Sequence, residues 1–368
     1  MKFTTPRESL LRPLQLVTGV VERRQTLPVL SNVLVEVDPK GVRLTGTDLE
    51  VQLNALVTED VEVEQPGSAT IPARKLADIW RSLPEGASVT VQTQGDRVTV
   101  KSGRSRFTLA TLPVADFPKV ESGQGALELH LGREQVLRLV DQTAFSMAQQ
   151  DVRYFLNGML LEVAAGHLRA VATDGHRLAM CTLDAVAKGA ERTQVIVPRK
   201  GVIELARLLA EGGGDVTLEL GRNHLRAASA AFTLTTKLVD GRFPDYEKVI
   251  PKGAGQSLVG DRESLRQAFL RASILSNEKY RGVRLVFEPG QLTIRANNPE
   301  QEEAEEVVAI DYNGAKMEIG FNVSYLQDVL NVLKTDSIRL SAADANSSAL
   351  IEAPGAEDSV YVVMPMRL

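Results

Sequence analysis

"VATDGHR", Val171 to Arg177, lies near the middle of the 368-residue chain and reads in two ways. As chemistry it offers Asp174, His176 and Arg177 side by side, and an Asp-oriented imidazole is a common general base. As architecture it repeats "LTGTDLE", Leu44 to Glu50, with Asp174 following Asp48 by 126 residues. The second reading decides the fold, because a repeat fixes the topology of every copy at once. A third copy is "IRANNPE", Ile294 to Glu300.

Working outward, "IPARKLADIWRSLPEGASVTV" from Ile71 matches "VPRKGVIELARLLAEGGGDVTL" from Val197, with Arg74 and Arg199 separated by 125 residues. "FNVSYLQDVLNVLKTDSIRL" from Phe321 continues that series. "RFTLATLPVADFP", Arg106 to Pro118, pairs with "AFTLTTKLVDGRFP", Ala231 to Pro244, and Pro118 again precedes Pro244 by 126. The shared offset divides the chain into three like domains, 1–125, 126–253 and 254–368, with Gly-rich boundaries near Gly123 to Ala126 and Gly253 to Gln256.

Each third is expected to open with a strand and an amphipathic helix, as in "TTPRESLLRPLQLVTGVV", "LGREQVLRLVDQTAFSM" and "VGDRESLRQAFLRASILS", with Pro6 suited to a first helical turn. Two strands then follow around turns such as Pro39-Lys40-Gly41 or Ala165-Gly166. A second helix, a strand pair and a closing "FP" or "MP" complete the unit. The fold class is therefore α+β, three repeated two-helix and β-sheet domains.

Composition narrows the function. With 43% hydrophobic residues the chain can bury several cores, while its net charge of −5 argues that any basic surface is local. The single cysteine, Cys181, excludes an internal disulfide or a cysteine metal cluster, and its apolar neighbours suggest a buried structural thiol. "MKFTTPRESLL" lacks a signal-peptide core, and no run approaches the roughly 18–20 apolar residues of a membrane span. A cytoplasmic protein without cofactor or metal is expected.

The helices carry cations beside their apolar stripes: Arg7 and Arg12; Arg74, Lys75 and Arg81; Arg133 and Arg138; Arg199, Lys200 and Arg207; Arg262, Arg266 and Arg271. The plainer reading is a solvated face paired at i,i+4 with Glu8, Asp78, Glu134, Glu204 and Glu263. Repetition favours another, a basic track that holds a phosphate backbone without reading bases. The chain's ends also complement one another. "SGRSRFTLATL" sets Arg104 and Arg106 on one strand face and Phe107 and Leu109 on the other, while Ile274, Leu275 and the acids Glu302, Glu303, Glu305 and Glu306 lie far downstream. Such ends make a head-to-tail contact that closes into a ring if the rotation permits; an ordinary solvated acidic strand is the alternative.

A hydrolase built on Asp174 and His176 finds little support. The sequence has no G-x-S-x-G elbow, no H-E-x-x-H pair and no phosphate loop, and His130, His167 and His224 each stand alone, read as surface or satisfied residues. A scaffold that does not bind nucleic acid is the third possibility.

Several strings are long and rare: "LTGTDLE", "SGRSRF", "DVRYFLNGML", "TDGHRLA", "VIVPRKGVIEL", "KLVDGRFPDY", "ILSNEKYRGVRL", "ANNPEQEEAEE", "MEIGFNVSY" and "YVVMPMRL". On them the chain resembles, along its full length, the bacterial DNA polymerase III beta subunit family of sliding clamps, and its proteobacterial branch most. The resemblance implies a head-to-tail homodimeric ring of six domains around double-stranded DNA, with helices lining the interior and sheets outside. It implies no catalytic residue, only processivity for the replicative polymerase and a docking hub.

Carried over by position, the DNA contacts are Arg24, Arg74, Gln150, Arg153, Tyr154, Arg199 and Lys200, with Phe155 standing where other clamps have a second tyrosine. The dimer contacts are Lys75, Arg97, Arg104, Arg106, Phe107, Leu109, Ile274, Leu275, Glu302, Glu303, Glu305 and Glu306. The partner-peptide pocket comprises Leu156, Thr173, Gly175, His176, Arg177, Leu178, Pro244, Val249, Asn322, Tyr325, Ser348, Val362, Val363, Met364, Pro365, Met366 and Arg367. In it Lys248 replaces an arginine and Asn346 an apolar residue. The implied partners are the polymerase catalytic subunit, the clamp loader, translesion polymerases, mismatch-repair proteins and ligase. Independently, the Leu, Val, Pro and Met content describes an adaptable apolar surface able to accept several peptides.

Overall fold

The structure is a computed structural model that describes residues 1–22, 27–118, 120, 127–164, 166–184, 191–212, 214–252 and 255–367. The first third runs β1 (Lys2–Pro6), α1 (Arg7–Gly19), β2 (Asn32–Asp38), β3 (Gly41–Thr47), β4 (Val51–Val57), β5 (Glu62–Gln65), β6 (Gly67–Pro72), α2 (Ala73–Ser82), β7 (Ser88–Gln94), β8 (Arg97–Ser102) and β9 (Ser105–Ala110). The second runs β10 (Leu127–Leu131), α3 (Arg133–Thr143), β11 (Gly158–Ala164), β12 (His167–Thr173), β13 (Arg177–Asp184), β14 (Thr193–Pro198), α4 (Arg199–Ala210), β15 (Val216–Leu220), β16 (His224–Ala228) and β17 (Thr233–Lys237). The third runs β18 (Gln256–Asp261), α5 (Arg262–Ser273), β19 (Gly282–Glu288), β20 (Gln291–Asn297), β21 (Glu303–Ala309), β22 (Met317–Asn322), α6 (Val323–Val332), β23 (Ser337–Ala342), β24 (Ala349–Ala353) and β25 (Ala356–Val363).

The α+β class and the two helices per third stand, but the strand count was too low. At least four strands separate the helices of each third, and three follow the second helix. The period-two pattern runs on past the Asp turn: "VQLNALV" alternates buried and accessible positions as β4. Pro6 directly precedes α1, which begins at Arg7.

The chain forms two compact units, Met1–Glu134 with Lys200–Leu238, and Gln135–Arg199 with Val239–Leu368. The first holds a five-stranded sheet, β5-β1-β7-β8-β9, and an eight-stranded sheet, β10-β15-β16-β17-β4-β3-β2-β6. The second holds an eight-stranded sheet that, read from β18, runs β18-β23-β24-β25-β13-β12-β11-β14, and a four-stranded sheet, β21-β20-β19-β22. The two large sheets correspond strand for strand under the repeat, each joining four strands of one third to four of the next.

Their junctions share one register. Leu234 of β17 faces Leu53 of β4, and Tyr361 of β25 faces Ala179 of β13, which is the repeat counterpart of Leu53. Following the ladders across each half-sheet makes Phe107 the equivalent of Leu234 and Tyr361. The marker that aligned Phe107 with Phe232 is therefore out by two residues at its start. The cause is loop length: β8 and β9 meet at Ser102 opposite Ser105, whereas β16 and β17 meet at Ala228 opposite Thr233.

In the first unit Leu10, Leu14 and Val17 of α1 fall on one stripe and are buried, and the indole of fully buried Trp80 in α2 donates to the Arg7 carbonyl at 3.2 Å. In the second, Phe269, Phe287, Phe321, Leu326 and Leu330 fill one core between helices and sheet. Asp261 caps α5 by accepting from the Ser264 amide at 2.7 Å. Cys181 is wholly buried, and burial pushes its thiol up. No helix among the described residues is long and apolar enough to cross a membrane.

Candidate functional site

The Asp174 turn is built by its own side chains. Asp174 Oδ1 accepts from the amides of His176 (2.9 Å) and Arg177 (3.0 Å), and Thr173 Oγ1 donates to the Arg177 carbonyl at 2.6 Å. Gly175 has φ +89°, the left-handed conformation that a side chain would strain. The turn recurs: Asp48 accepts from the amides of Glu50 (2.9 Å) and Val51 (2.7 Å), and Asn298 from that of Glu302 (2.9 Å). The carboxylate of Asp174 thus serves backbone amides and Arg177 Nε (3.1 Å), which removes the catalytic reading of an Asp-oriented His176.

Arg177 is the hub of this place. Its guanidinium pairs with Asp174 and Asp328, donates to the Phe145 carbonyl at 2.7 Å, and lies 4.5 Å from the centre of the Tyr325 ring and 5.3 Å from that of Phe145. Asp328 and Phe145 escaped the sequence reading, since nothing in their spacing ties them to residue 177. The C-terminal segment is held here as well. The Met364 amide donates to the His176 carbonyl at 2.9 Å and the Met366 amide to the Gly320 carbonyl at 2.8 Å, which supplies the tether a chain end needs.

The expected pocket residues fall into three groups by exposure. Leu156, Leu178, Val362 and Val363 are buried, Leu178 and Val362 in one core cluster and Val363 in another on the opposite face of its strand, whereas Gly175, His176, Pro244, Lys248, Asn346 and Arg367 are exposed. Thr173, Val249, Tyr325, Ser348, Met364, Pro365 and Met366 are half-buried between them. Asn322 is also half-buried but caps α6, accepting from the Ser324 amide at 2.9 Å. A cavity of about 600 Å³ is lined by Lys248–Lys252, Ala343 and Asn346–Ser348, bringing Lys248, Val249, Asn346 and Ser348 together. Lys248 pairs with Asp245 at 2.9 Å.

Strand β11 holds a buried carboxylate that the sequence did not flag. Glu162 accepts from Arg192 (2.7 and 3.0 Å), Gln194 (2.5 Å) and the Tyr246 hydroxyl (2.8 Å), while Arg169 donates to the same hydroxyl at 2.9 Å. Burial pushes the Glu162 carboxyl up, but the hydrogen bonds from Arg192, Tyr246 and Gln194 outweigh it and hold the group below the ordinary range. His167, read as surface or satisfied, is half-buried: its Nε2 stands 3.9 Å from the Glu162 carboxylate, with no hydrogen-bond partner among the described residues.

The candidate phosphate contacts divide between the units. In the first, Arg74 Nη2 donates to the Val21 carbonyl at 3.4 Å, and Lys200 Nζ pairs with Glu22 and Asp48. Burial lowers the Lys200 ammonium, yet its bonds to Asp48 and Glu22 leave it above its ordinary value. Arg24 lies outside the described residues. In the second, Gln150 has φ +55° and is exposed, as are Arg153 and Tyr154, with Phe155 half-buried against Tyr154 (ring centres 5.9 Å apart). Arg153 bonds to Asp151 (2.8 and 3.0 Å), holding that carboxyl at about 2. Arg199 is half-buried and reaches the carbonyls of Ala144 (3.5 Å) and Met147 (3.4 Å).

Many helix cations are already paired, though at i,i+3 more than i,i+4: Arg81 with Asp78 (2.9 Å), Arg207 with Glu204 (2.9 Å) and Arg266 with Glu263 (2.6 Å). Acids therefore accompany the basic helices.

The candidate dimer residues sit on two sheet ends. β9 carries exposed Arg106 and half-buried Phe107 and Leu109, with Arg104 in the turn before the strand, and Arg97 and Lys75 are exposed. On β21 Glu305 pairs with Arg295 and Glu306 with Arg271, each at 2.6 Å, while Glu302 and Glu303 are exposed. Ile274 is 73% exposed and Leu275 half-buried.

Residues 1–121, 130–245 and 247–367 match, in order, the N-terminal, central and C-terminal domains of the DNA polymerase III beta subunit. The chain belongs to the DNA polymerase III beta subunit family. It is 60% identical to the beta sliding clamp of Pseudomonas aeruginosa and 53% identical to that of Escherichia coli K12, each match covering all of both chains. Among solved structures it is similar to the DNA polymerase III subunit beta from P. aeruginosa (59% identity, TM-score 0.97) and to Caulobacter crescentus pol III beta (38%, 0.95), over 100% of both chains in each case. A P. aeruginosa sliding clamp bound to griselimycin matches with a TM-score of 0.96. The chain's function is that of a DNA polymerase III beta subunit, a sliding clamp that confers processivity and has no catalytic step of its own.

Proposed function

We propose that two copies of this clamp close head to tail into a ring around duplex DNA, and that partner proteins dock on it through peptides held beside the Asp174 turn. The observation that carries the reading is the pair of strand edges left over by the repeat. β17 pairs with β4 and β25 with β13, so the third equivalent junction would join β9 to β21. Both are terminal strands of their sheets. An unpaired edge is a template for another chain, and a head-to-tail contact between unlike edges closes into a ring when the rotation permits.

The shared register makes the proposal specific. Transferred to β9 and β21, it sets Phe107 opposite Ala304 of the partner subunit and Arg106 opposite Glu305 of the partner subunit. Cross-strand opposite charges contribute roughly 0.2–1 kcal/mol each. Arg97, Arg104, Lys75, Ile274, Leu275, Glu302, Glu303 and Glu306 would flank this pairing. Domains at 1–125, 126–253 and 254–368 are the units of the ring.

Duplex DNA would be held by Arg24, Arg74, Gln150, Arg153, Tyr154, Phe155, Arg199 and Lys200 through phosphates, without base readout. The docking surface is the half-buried group Thr173, Val249, Ser348, Met364 and Met366. The polymerase catalytic subunit, clamp loader, translesion polymerases, mismatch-repair proteins and ligase are its proposed partners. Tethering slows dissociation by effective concentration alone.

Light scattering tests the ring. The chain should run as a dimer, Arg106→Glu should shift it toward monomer, and Glu305→Lys added to that variant should recover part of the dimer. An unshifted dimer in Arg106→Glu would overturn the pairing.

A further inference from the structure

We infer that Glu22 is a built-in counter-charge that competes with DNA phosphate for Lys200 and so sets how firmly the clamp grips the duplex. The inference rests on the proposed role of Lys200 as a phosphate contact. Lys200 Nζ is held between two carboxylates, Glu22 and Asp48, which makes the cluster net negative by one charge. The two acids differ in kind. Asp48 is 4% exposed at its side chain and is fixed by the turn it builds, accepting from the amides of Glu50 and Val51. Glu22 is 53% exposed and serves no backbone group among the described residues.

A phosphate approaching Lys200 can displace only Glu22. Arg74 sits at the same bend, on the carbonyl of Val21, so the approach is otherwise favourable to an anion. Elsewhere in the repeat the described residues are arranged otherwise: Asp174, the counterpart of Asp48, takes Arg177, the position in α6 matching Lys200 is Ser324, and the one in α2 is Arg74, which reaches the Val21 carbonyl. A ring that retains DNA by topology has no need of tight contacts. A cation whose charge is already answered grips weakly and releases readily, which suits sliding.

The test is a double-mutant cycle on the intact dimer, reading its affinity for a short linear duplex at low salt by fluorescence anisotropy. Lys200→Gln should weaken binding. Glu22→Gln should tighten it roughly two- to fivefold, the range of an exposed ion pair, with a gain that shrinks as salt rises. In the Lys200→Gln background Glu22→Gln should change nothing. If Lys200→Gln weakens binding and Glu22→Gln does not tighten it, the counter-charge role is overturned while the phosphate contact stands. Equal tightening in both backgrounds would also overturn it, by showing a general charge effect. No change on Lys200→Gln would remove the contact and the inference together.

Discussion

Arg177 Nε donates to Asp174 Oδ2 at 3.1 Å, so the acid that stood ready to orient a catalytic imidazole instead anchors an arginine. The same guanidinium reaches Asp328 and the Phe145 carbonyl and stacks on Tyr325. Arg177→Ala should therefore loosen the docking surface from behind. We expect it to cost about 2 kcal/mol in urea unfolding, the scale of hydrogen bonds to a charged group, and to lower the affinity for a polymerase tail peptide at least tenfold. Unchanged peptide affinity would separate Arg177 from the docking site.

Tyr246 bridges Glu162 and Arg169 with one hydroxyl. Tyr246→Phe leaves a buried carboxylate short of a donor and should destabilise the chain by about 1–3 kcal/mol, measured by denaturant unfolding. A neutral result would mean that water replaces the hydroxyl.

The same hydroxyl predicts an alkaline signature. Burial pushes the Tyr246 phenol up to about 12, aided by Glu162 and opposed by Arg169. A raised phenol favours the folded state while neutral. Its contribution is whole below about pH 10, the unfolded value, and is lost as pH rises toward about 12. Burial also raises Tyr312, Tyr325 and, further still, Tyr361. Absorbance titration at 295 nm should therefore show several late-ionising tyrosines, and Tyr246→Phe should remove one of them, at about 12.

Gly201 follows Lys200 at the start of α4, where a Cβ would stand 2.6 Å from Thr236 Oγ1. Gly201→Ala should lose about 1–3 kcal/mol by overpacking despite the better helix propensity of alanine. Adding Thr236→Ala, which removes both Oγ1 and Cγ2, should restore part of it, read as melting temperature.

The repeat was legible because it leaves the same short strings at one offset, and the two helices of each third follow from apolar periodicity. Strand number was not. β4 continues the alternation of β3 across a tight turn, and sequence cannot tell one bent arm from two strands. Nor could it see that β17 pairs with β4 and β25 with β13, since those partners lie far apart in the chain. Among site residues, composition gave Met364 and Met366 as docking material. The burial of Arg199, the pairing of Lys200 and the approach of His167 Nε2 to Glu162 depend on neighbours brought by the fold. Glu162 passed unnoticed because an acid in a strand usually faces water, and here five polar groups close over it.

The central claim is topological retention on DNA. After loading onto nicked circular duplex, the protein should remain bound through gel filtration and be released once a single cut linearises the circle. Equal retention on circle and line, or equal loss from both, would contradict a ring that encloses the duplex.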